Sequence, residues 1–272
     1  MYAGTTISRE SGRVVGVHQK IDRIARRKIK PYLPEGVWFP NINGILHFEG
    51  RNGPDGIKRK SPSVDEPWHF IDPSNPKDRQ IFEYIDNHMH NLATALKEDN
   101  LIRASFEAAW LAHVVVDGLT PAHHYPMGEK IKELWGKEYD ARSSVKEKGI
   151  IKGENSRDTI SKNWQYWGAG GVMTEHFNFE MGVASAISTD KFKKFKLASS
   201  DIEDLKKRGF NKIYMESINK IYSLKMYDNL SQQGWTRALT VQTKKYLIPE
   251  MIKMVALAWF YSIILSQEDL KR

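Results

Sequence analysis

In the segment WLAHVVVDGLTPAHHYP, His113 and Asp117 lie four residues apart within a helical pattern. That spacing puts an imidazole and a carboxylate on one face, a turn apart, close enough to share a metal ion. Gly118 and Pro121 end the pattern, and His123 follows in the turn. A second pair, His176 and Glu180 in HFNFE, repeats the arrangement on another helical stretch. Both pairs fall on stripes that should face the core, where an uncompensated carboxylate is costly and a bound cation would compensate it. One His–Asp pair at this spacing is more often a structural hydrogen bond. Two pairs, with His123 in a turn and His69 in WHFID, shift the balance toward a metal site. His18, on the apolar stripe of the first helix, reads by itself as a core histidine, and His47, His88 and His90 follow no pattern. The chain has no cysteine, which excludes a disulfide scaffold, thiolate catalysis and Cys-ligated zinc or iron–sulfur clusters. Any metal site must therefore be built from His and carboxylates.

Helices have to hold these groups. Spacing of 3.6 residues recurs along the chain while strict alternation is scarce, so the sequence predicts a mostly helical protein. After a candidate N-cap at Ser11, the stripe Val14, Val17, Ile21, Ile24 predicts a helix to about Arg27. Residues 31–76, rich in Pro and Gly, read as a long irregular surface connection. Helical pattern resumes with Phe82, Ile85, Met89, Leu92 and Leu96, and repeats through Phe106, Trp110, His113 and Asp117. Residues 125–160 are polar and read as an insertion or lid. A further helix carries Val172, His176, Glu180, Val183 and Ile187, and two long ones fit Asp201–Leu230 and Thr236–Ser266. No repeat appears and composition does not divide the chain, so the expectation is one all-α domain over residues 1–272.

The 272 residues include 41 Lys+Arg against 33 Asp+Glu, a formal net charge of +8, with 40% hydrophobic and 11% aromatic residues. Such a chain can bury a sizeable core and is too aromatic to be disordered. The positive surplus suits a phosphate-bearing partner, although a solvated basic face is the commoner meaning. The most apolar run, Met254 to Leu265, falls short of the roughly 20 residues that span a bilayer and predicts a buried core helix, with no transmembrane segment. Residues 1–27 lack the apolar centre of a secretory signal, which predicts a cytoplasmic location.

The ordered string His113-x3-Asp117-x5-His123, followed by His176-x3-Glu180, resembles the metal-binding core of the zinc-dependent phospholipases C and the related S1/P1 nucleases. WHFID at 68–72 is similar to the nucleases' His-Phe-x-Asp region, and GPDG at 53–56 to the family's Asp-bearing loop, fourteen residues before His69. His18 matches the N-terminal ligand histidine. The resemblance runs from about His18 to Glu180 and implies a multi-helix all-α fold carrying two to three zinc ions. It implies one metal at Asp55, His69, His113 and Asp117, and a second at His123, His176 and Glu180. Asp117 would bridge to a third near His18. Imidazole and carboxylate ligands suit zinc and leave other divalent metals open. By the same resemblance, an ionised water between two metals attacks phosphorus in line. Asp55 then orients or deprotonates that water, or binds metal.

Two features depart from the family. Its secreted members place an N-terminal Trp on the third metal, whereas this chain begins Met1-Tyr2 and its first Trp is Trp38. The interval from His123 to His176 is longer than usual, which puts an insertion beside the cluster, and His124 competes with His123 as ligand. The resemblance implies a phosphoric ester hydrolase, phospholipase C-like, acting on phospholipid or another small phosphodiester. A single-strand nuclease is the alternative, with the basic balance and Trp164, Tyr166 and Trp167 as a base-stacking platform or, more commonly, core. A metal-stabilised binding protein without turnover is the third reading. The walls of the site are expected to carry Lys130, Lys132, Lys137 and Arg142 from the insertion, and Arg51, Lys58, Arg59 and Lys60 from the earlier loop. Glycine fingerprints of nucleotide-binding folds and the His-Asp dipeptide of HD-type phosphohydrolases are absent.

Overall fold

A computed structural model describes residues 1–3, 16–63 and 69–268. Every regular element among them is helical. The proposed cap at Ser11, Val14 of the first stripe and Trp68 of WHFID lie outside the described residues.

The framework is four helices: α1 (Val17–Ile29), α4 (Gln80–Lys97), α5 (Leu101–Gly118) and α14 (Ile248–Glu268). α14 packs against the other three, and α4 lies along α5. α5 is apolar nearly all round and buries Ala104, Ala108, Leu111, Val114, Val115 and Val116, as a helix at the centre of a bundle must. Trp259 of α14 is fully enclosed and donates its indole N–H to the Ala108 carbonyl at 2.8 Å. The helical run Arg237–Gln267, which includes nearly all of α14, is longer than the twelve-residue apolar stretch suggests. An 18-residue window of it has a mean hydropathy of 1.6, which would suit a membrane span, but 78% of that window is buried inside the fold. It is the core helix here.

Three smaller corrections have local causes. The loop over residues 31–76 contains two short helices, α2 (Ile42–His47), capped by Asn41 accepting from Gly44 N–H, and α3 (Pro54–Lys58). The helix expected over Asp201–Leu230 is three: α10 (Ser199–Arg208), α11 (Phe210–Tyr222) and α12 (Met226–Gln233). Gly209 at φ 76° and Lys225 at φ 51° turn the chain left-handed at the two breaks. The last predicted helix begins as expected, with Thr236 capping α13 (Arg237–Gln242), but a π-helical turn at Thr243–Leu247 separates it from α14. Pro249, which has no N–H to give the preceding turn, follows that widening directly.

The polar 125–160 segment is built of helices with a small core of their own. α6 (Met127–Trp135), α7 (Val145–Gly149) and α8 (Ser156–Trp167) lead into α9 (Val172–Ile187). Met127, Ile131, Ile151 and Tyr166 are buried together, apart from the main core.

Candidate metal centre

α5 ends where the site begins. Tyr214 of α11 donates its hydroxyl to the Val115 carbonyl at 2.8 Å and lies against Gly118, where an added Cβ would meet that oxygen at 2.3 Å. Only glycine lets the two elements approach this closely. Thr120 then folds back onto the Val116 carbonyl, and Pro121 starts a 3₁₀ turn, Pro121–His124, that buries both histidines. His124 donates to the Gly118 carbonyl at 2.8 Å, whereas His123 anchors its Nδ1 on the His69 carbonyl at 2.9 Å and turns Nε2 toward Glu180 and Asp117. Of the two neighbours, it is His123 whose ring faces the carboxylates.

Asp117 sits at the centre, with its two oxygens facing different groups. Oδ2 meets His69 Nδ1 at 3.1 Å and His113 Nε2 at 3.2 Å, and Asp55 Oδ1 lies 3.6 Å from the same His113 nitrogen. Oδ1 meets the Met1 amine at 2.6 Å, His18 Nε2 at 3.4 Å and His123 Nε2 at 3.9 Å. Glu180 Oε1 lies 3.1 Å from His176 Nε2, 3.5 Å from His123 Nε2 and 3.1 Å from the Met1 amine. All eight residues singled out in the sequence therefore meet in one place. Two subsets have ligand atoms close enough to share one ion: His18, His113 and Asp117, and His123, His176 and Glu180. His18 stacks face to face on His113 at 3.9 Å between ring centres, with its Nε2 beside Asp117 Oδ1 and the Met1 carbonyl.

The donor set fits a cation. A four-coordinate ion with bonds of about 2.1 Å holds neighbouring ligand atoms about 3.4 Å apart, close to the spacings observed. His113 hydrogen-bonds Glu49 Oε1 through Nδ1 at 2.9 Å, which leaves Nε2 facing two carboxylates without a hydrogen bond. His18, His69 and His176 turn their other ring nitrogen, Nε2, Nδ1 and Nε2 in turn, to the carboxylates, and leave Nδ1, Nε2 and Nδ1 buried without a hydrogen-bond partner. Asp117 stands in the last turn of α5, where the helix dipole disfavours negative charge and a cation would relieve it.

Charge follows burial and neighbours. Burial pulls His69 down to about 3 and His123 to about 4, so both are neutral imidazoles, the form a metal needs. Burial also opposes the charged form of His113, but Glu49, Asp117 and Asp55 outweigh it and raise this histidine well above its ordinary value. Burial disfavours the anions of Asp117 and Glu180 too. The Met1 ammonium with neighbouring imidazoles overrides it and holds both well below the carboxylate range. Met1 itself rises to about 10, because Asp117, Glu180 and Asp55 outweigh its burial.

Pattern reading misses three participants. Met1 supplies its amine to the carboxylates and its carbonyl to His18 Nε2, at 2.8 Å. Glu49 orients His113, and Asp22, buried on α1 one turn after His18, has both oxygens unpartnered. Only Asp22 carried a local signal, its four-residue spacing from His18. His88 pairs with Glu107 at 2.6 Å on the far side of α5, and His47 and His90 are exposed.

The cluster opens into a cleft of about 610 Å³, which Asp55, His123, His176 and Glu180 reach from the floor. Phe70, Met127, Ile131, Trp167, Met173 and Phe177 give it apolar walls, and Lys58, Arg59, Arg142 and Lys148 give it positive charge. Of the basic residues expected there, Lys58, Arg59 and Arg142 line it. Lys130 and Lys132 instead pair with Glu133 and Glu138, and Lys137, Arg51 and Lys60 are not among its lining. Lys148, not anticipated, reaches the Lys58 carbonyl and ties the insertion to the earlier loop. The aromatic trio divides: Trp167 and Tyr166 both line the cleft, Tyr166 from within the satellite core, and Trp164 is exposed away from it. The chain matches no family model, no curated protein and no solved structure.

Proposed function

We propose that this chain is a metal-dependent phosphoric ester hydrolase of the phospholipase C type, using two to three zinc-class ions. The observation that carries this reading is the convergence of anchored imidazoles on the buried Asp117 and the partly buried Glu180, next to a basic, apolar-walled cleft that Asp55, His123, His176 and Glu180 line. His113, fixed through Glu49, and His123, fixed through the His69 carbonyl, present Nε2 inward, the usual way a protein sets the tautomer of a ligand histidine. Asp117, whose Oδ2 faces His69 and His113 and whose Oδ1 faces His18 and His123, would be the carboxylate shared between the two subsets. The Met1 amine, once deprotonated, and the Met1 carbonyl stand beside His18 as donors, in place of the N-terminal Trp of the family. Ions bound there would supply a water of lowered pKa and neutralise phosphoryl charge.

The chain's own groups do the rest. Asp55 lies at the edge of the cluster, its side chain 26% exposed to the cleft and 3.6 Å from His113 Nε2. It is placed to orient a water and accept its proton. Lys58, Arg59, Arg142 and Lys148 draw in an anionic ester, and the apolar walls receive its hydrocarbon part. A flat polar nucleotide would use those walls less well, which favours phospholipid over single-stranded nucleic acid.

Elemental analysis of chelator-free protein, followed by turnover of phosphatidylcholine micelles, a chromogenic phosphodiester and single-stranded DNA, tests the reading. We expect two to three ions per chain and preference for the lipid. Salt-sensitive cleavage of DNA with none of the lipid would reverse the substrate order. Bound metal with no turnover at all would leave a metal-stabilised binding protein.

A further inference from the structure

The helix α8 has its apolar face on the outside. Thr159, Asn163 and Tyr166 form the stripe that holds it down: Thr159 Oγ1 accepts from Gly153 N–H, Asn163 exchanges two hydrogen bonds with Ile151, and Tyr166 is buried in the satellite core. The next stripe round the helix is Arg157, Ile160, Trp164 and Trp167, and all four are exposed. Ile160 is 71% and Trp164 67% exposed, values at which a large apolar side chain is usually replaced by a polar one. Val145, Ile150 and Phe177 are exposed as well, so most of the large apolar side chains left in solvent cluster in the segment around the cleft.

That surface runs into the cleft. Trp167, Val145 and Phe177 are partly exposed and also line it, and Trp167 donates its indole N–H to the Gly149 carbonyl, joining α8 to α7 at the mouth. Exposed Lys146, Lys152 and Arg157 belong to the same segment. Aliphatic and Trp side chains accompanied by Lys and Arg match the layered chemistry of a phospholipid surface, apolar below and phosphate above. A base-stacking platform would use Trp164 and Trp167 but gain nothing from Ile150, Ile160 and Val145.

We infer that the exposed face of α8, with the α7 rim, is an interfacial docking surface that seats the mouth of the cleft on a phospholipid bilayer or micelle. The inference rests on the hydrolase reading for its purpose, because a lipid surface at that position delivers substrate to the cluster. Its physical basis, a helix anchored by polar groups and presenting an apolar stripe to solvent, is independent of turnover.

The test is co-sedimentation of the full chain with vesicles of phosphatidylcholine, with and without phosphatidylglycerol, beside hydrolysis of a water-soluble monomeric phosphodiester. The variant is Ile160→Ser with Trp164→Ala, two residues that do not line the cleft; Ile160→Leu with Trp164→Phe is its conservative counterpart. We expect wild type and the conservative variant to partition onto vesicles, and the polar variant to lose at least about tenfold in partitioning, with unchanged hydrolysis of the soluble ester. Wild type remaining in the supernatant, or the polar variant binding like wild type, would overturn the proposal. So would loss of single-stranded DNA binding, or of a dimer, in the polar variant while vesicle binding persists. Vesicle binding without hydrolysis of any ester would sustain the docking surface and remove the hydrolase reading. Hydrolysis of the soluble ester without vesicle binding would do the reverse.

Discussion

Asp117, Asp55 and Glu49 carry the same charge but hold different positions, and the difference can be measured. Asp117 is fully buried and has five nitrogen neighbours: the Met1 amine and the imidazoles of His18, His69, His113 and His123. Asp117→Asn should lose most of the bound metal and destabilise the chain by about 3 kcal/mol or more, because its buried partners are left uncompensated. Asp55 is partly exposed, so Asp55→Asn should keep most of the fold and metal while losing activity. Glu49 meets the cluster through His113, and Glu49→Gln should weaken metal binding by roughly 10- to 100-fold. Metal content at graded zinc, with melting curves, ranks the three; equal metal loss in Asp55→Asn and Asp117→Asn would make Asp55 primarily a ligand. The His–carboxylate pairs were legible in the sequence because four-residue spacing is local and helices enforce it. Glu49 lies 64 residues from His113, and Met1 lies 116 from Asp117. Only the packing of α1 and the α2–α3 loop against α5 brings them in, and no periodicity records that.

At the scale of elements, α4 and α9 are found where their apolar stripes put them, since each has one face to bury, and α5 is found where a run that is apolar nearly all round must lie, in the middle of the bundle. The breaks after Arg208 and Tyr222 escaped because an apolar stripe can continue across a left-handed residue, and Lys225 is not a residue that announces one. What fastens α11 to α14 was equally hidden. Glu250 at the start of α14 accepts from Ser217 at 2.8 Å and Lys220 at 2.6 Å on α11, and from Lys253 at 2.7 Å. Burial opposes its ionisation, but the two lysines and the serine outweigh burial and hold its carboxyl below the ordinary glutamate value. A carboxyl depressed in the folded state stabilises above the unfolded pKa, and that contribution is lost as pH falls through the folded one. Glu250→Gln should therefore cost about 1–2 kcal/mol at pH 7, and the gap from wild type should close on acidification below about pH 4. Urea denaturation of both proteins across that range is the measurement; a gap that stays constant with pH would mean the carboxylate's charge contributes nothing.

At the scale of the whole molecule, the cluster is the point where α1, the α3 loop, the segment after residue 68, α5, its 3₁₀ turn and α9 all converge. The hydrophobic core on the other side of α5 is dense and all-helical, and composition with periodicity sufficed to foresee it. The centre is different: it concentrates three carboxylates, five imidazoles and an amine in space that an apolar core would otherwise fill. Without an ion, the Met1 ammonium and a charged His113, both desolvated, offset the carboxylates only in part. With ions bound, those protons can leave and the ligand lone pairs are satisfied, so metal should act as a staple joining elements from the two ends of the resemblance. Ions that bind only the folded chain stabilise it by about 4 kcal/mol at a thousandfold excess over the dissociation constant. For a chain of this size that corresponds to a rise in melting temperature of roughly 8–16 °C. Chelator-treated protein should melt lower by that order and recover on titration with zinc. The recovery should be blunted in Asp117→Asn and largely retained in Asp55→Asn. Identical melting with chelator and with zinc would mean that the Met1 ammonium and His113 already balance the cluster, and that no ion belongs there.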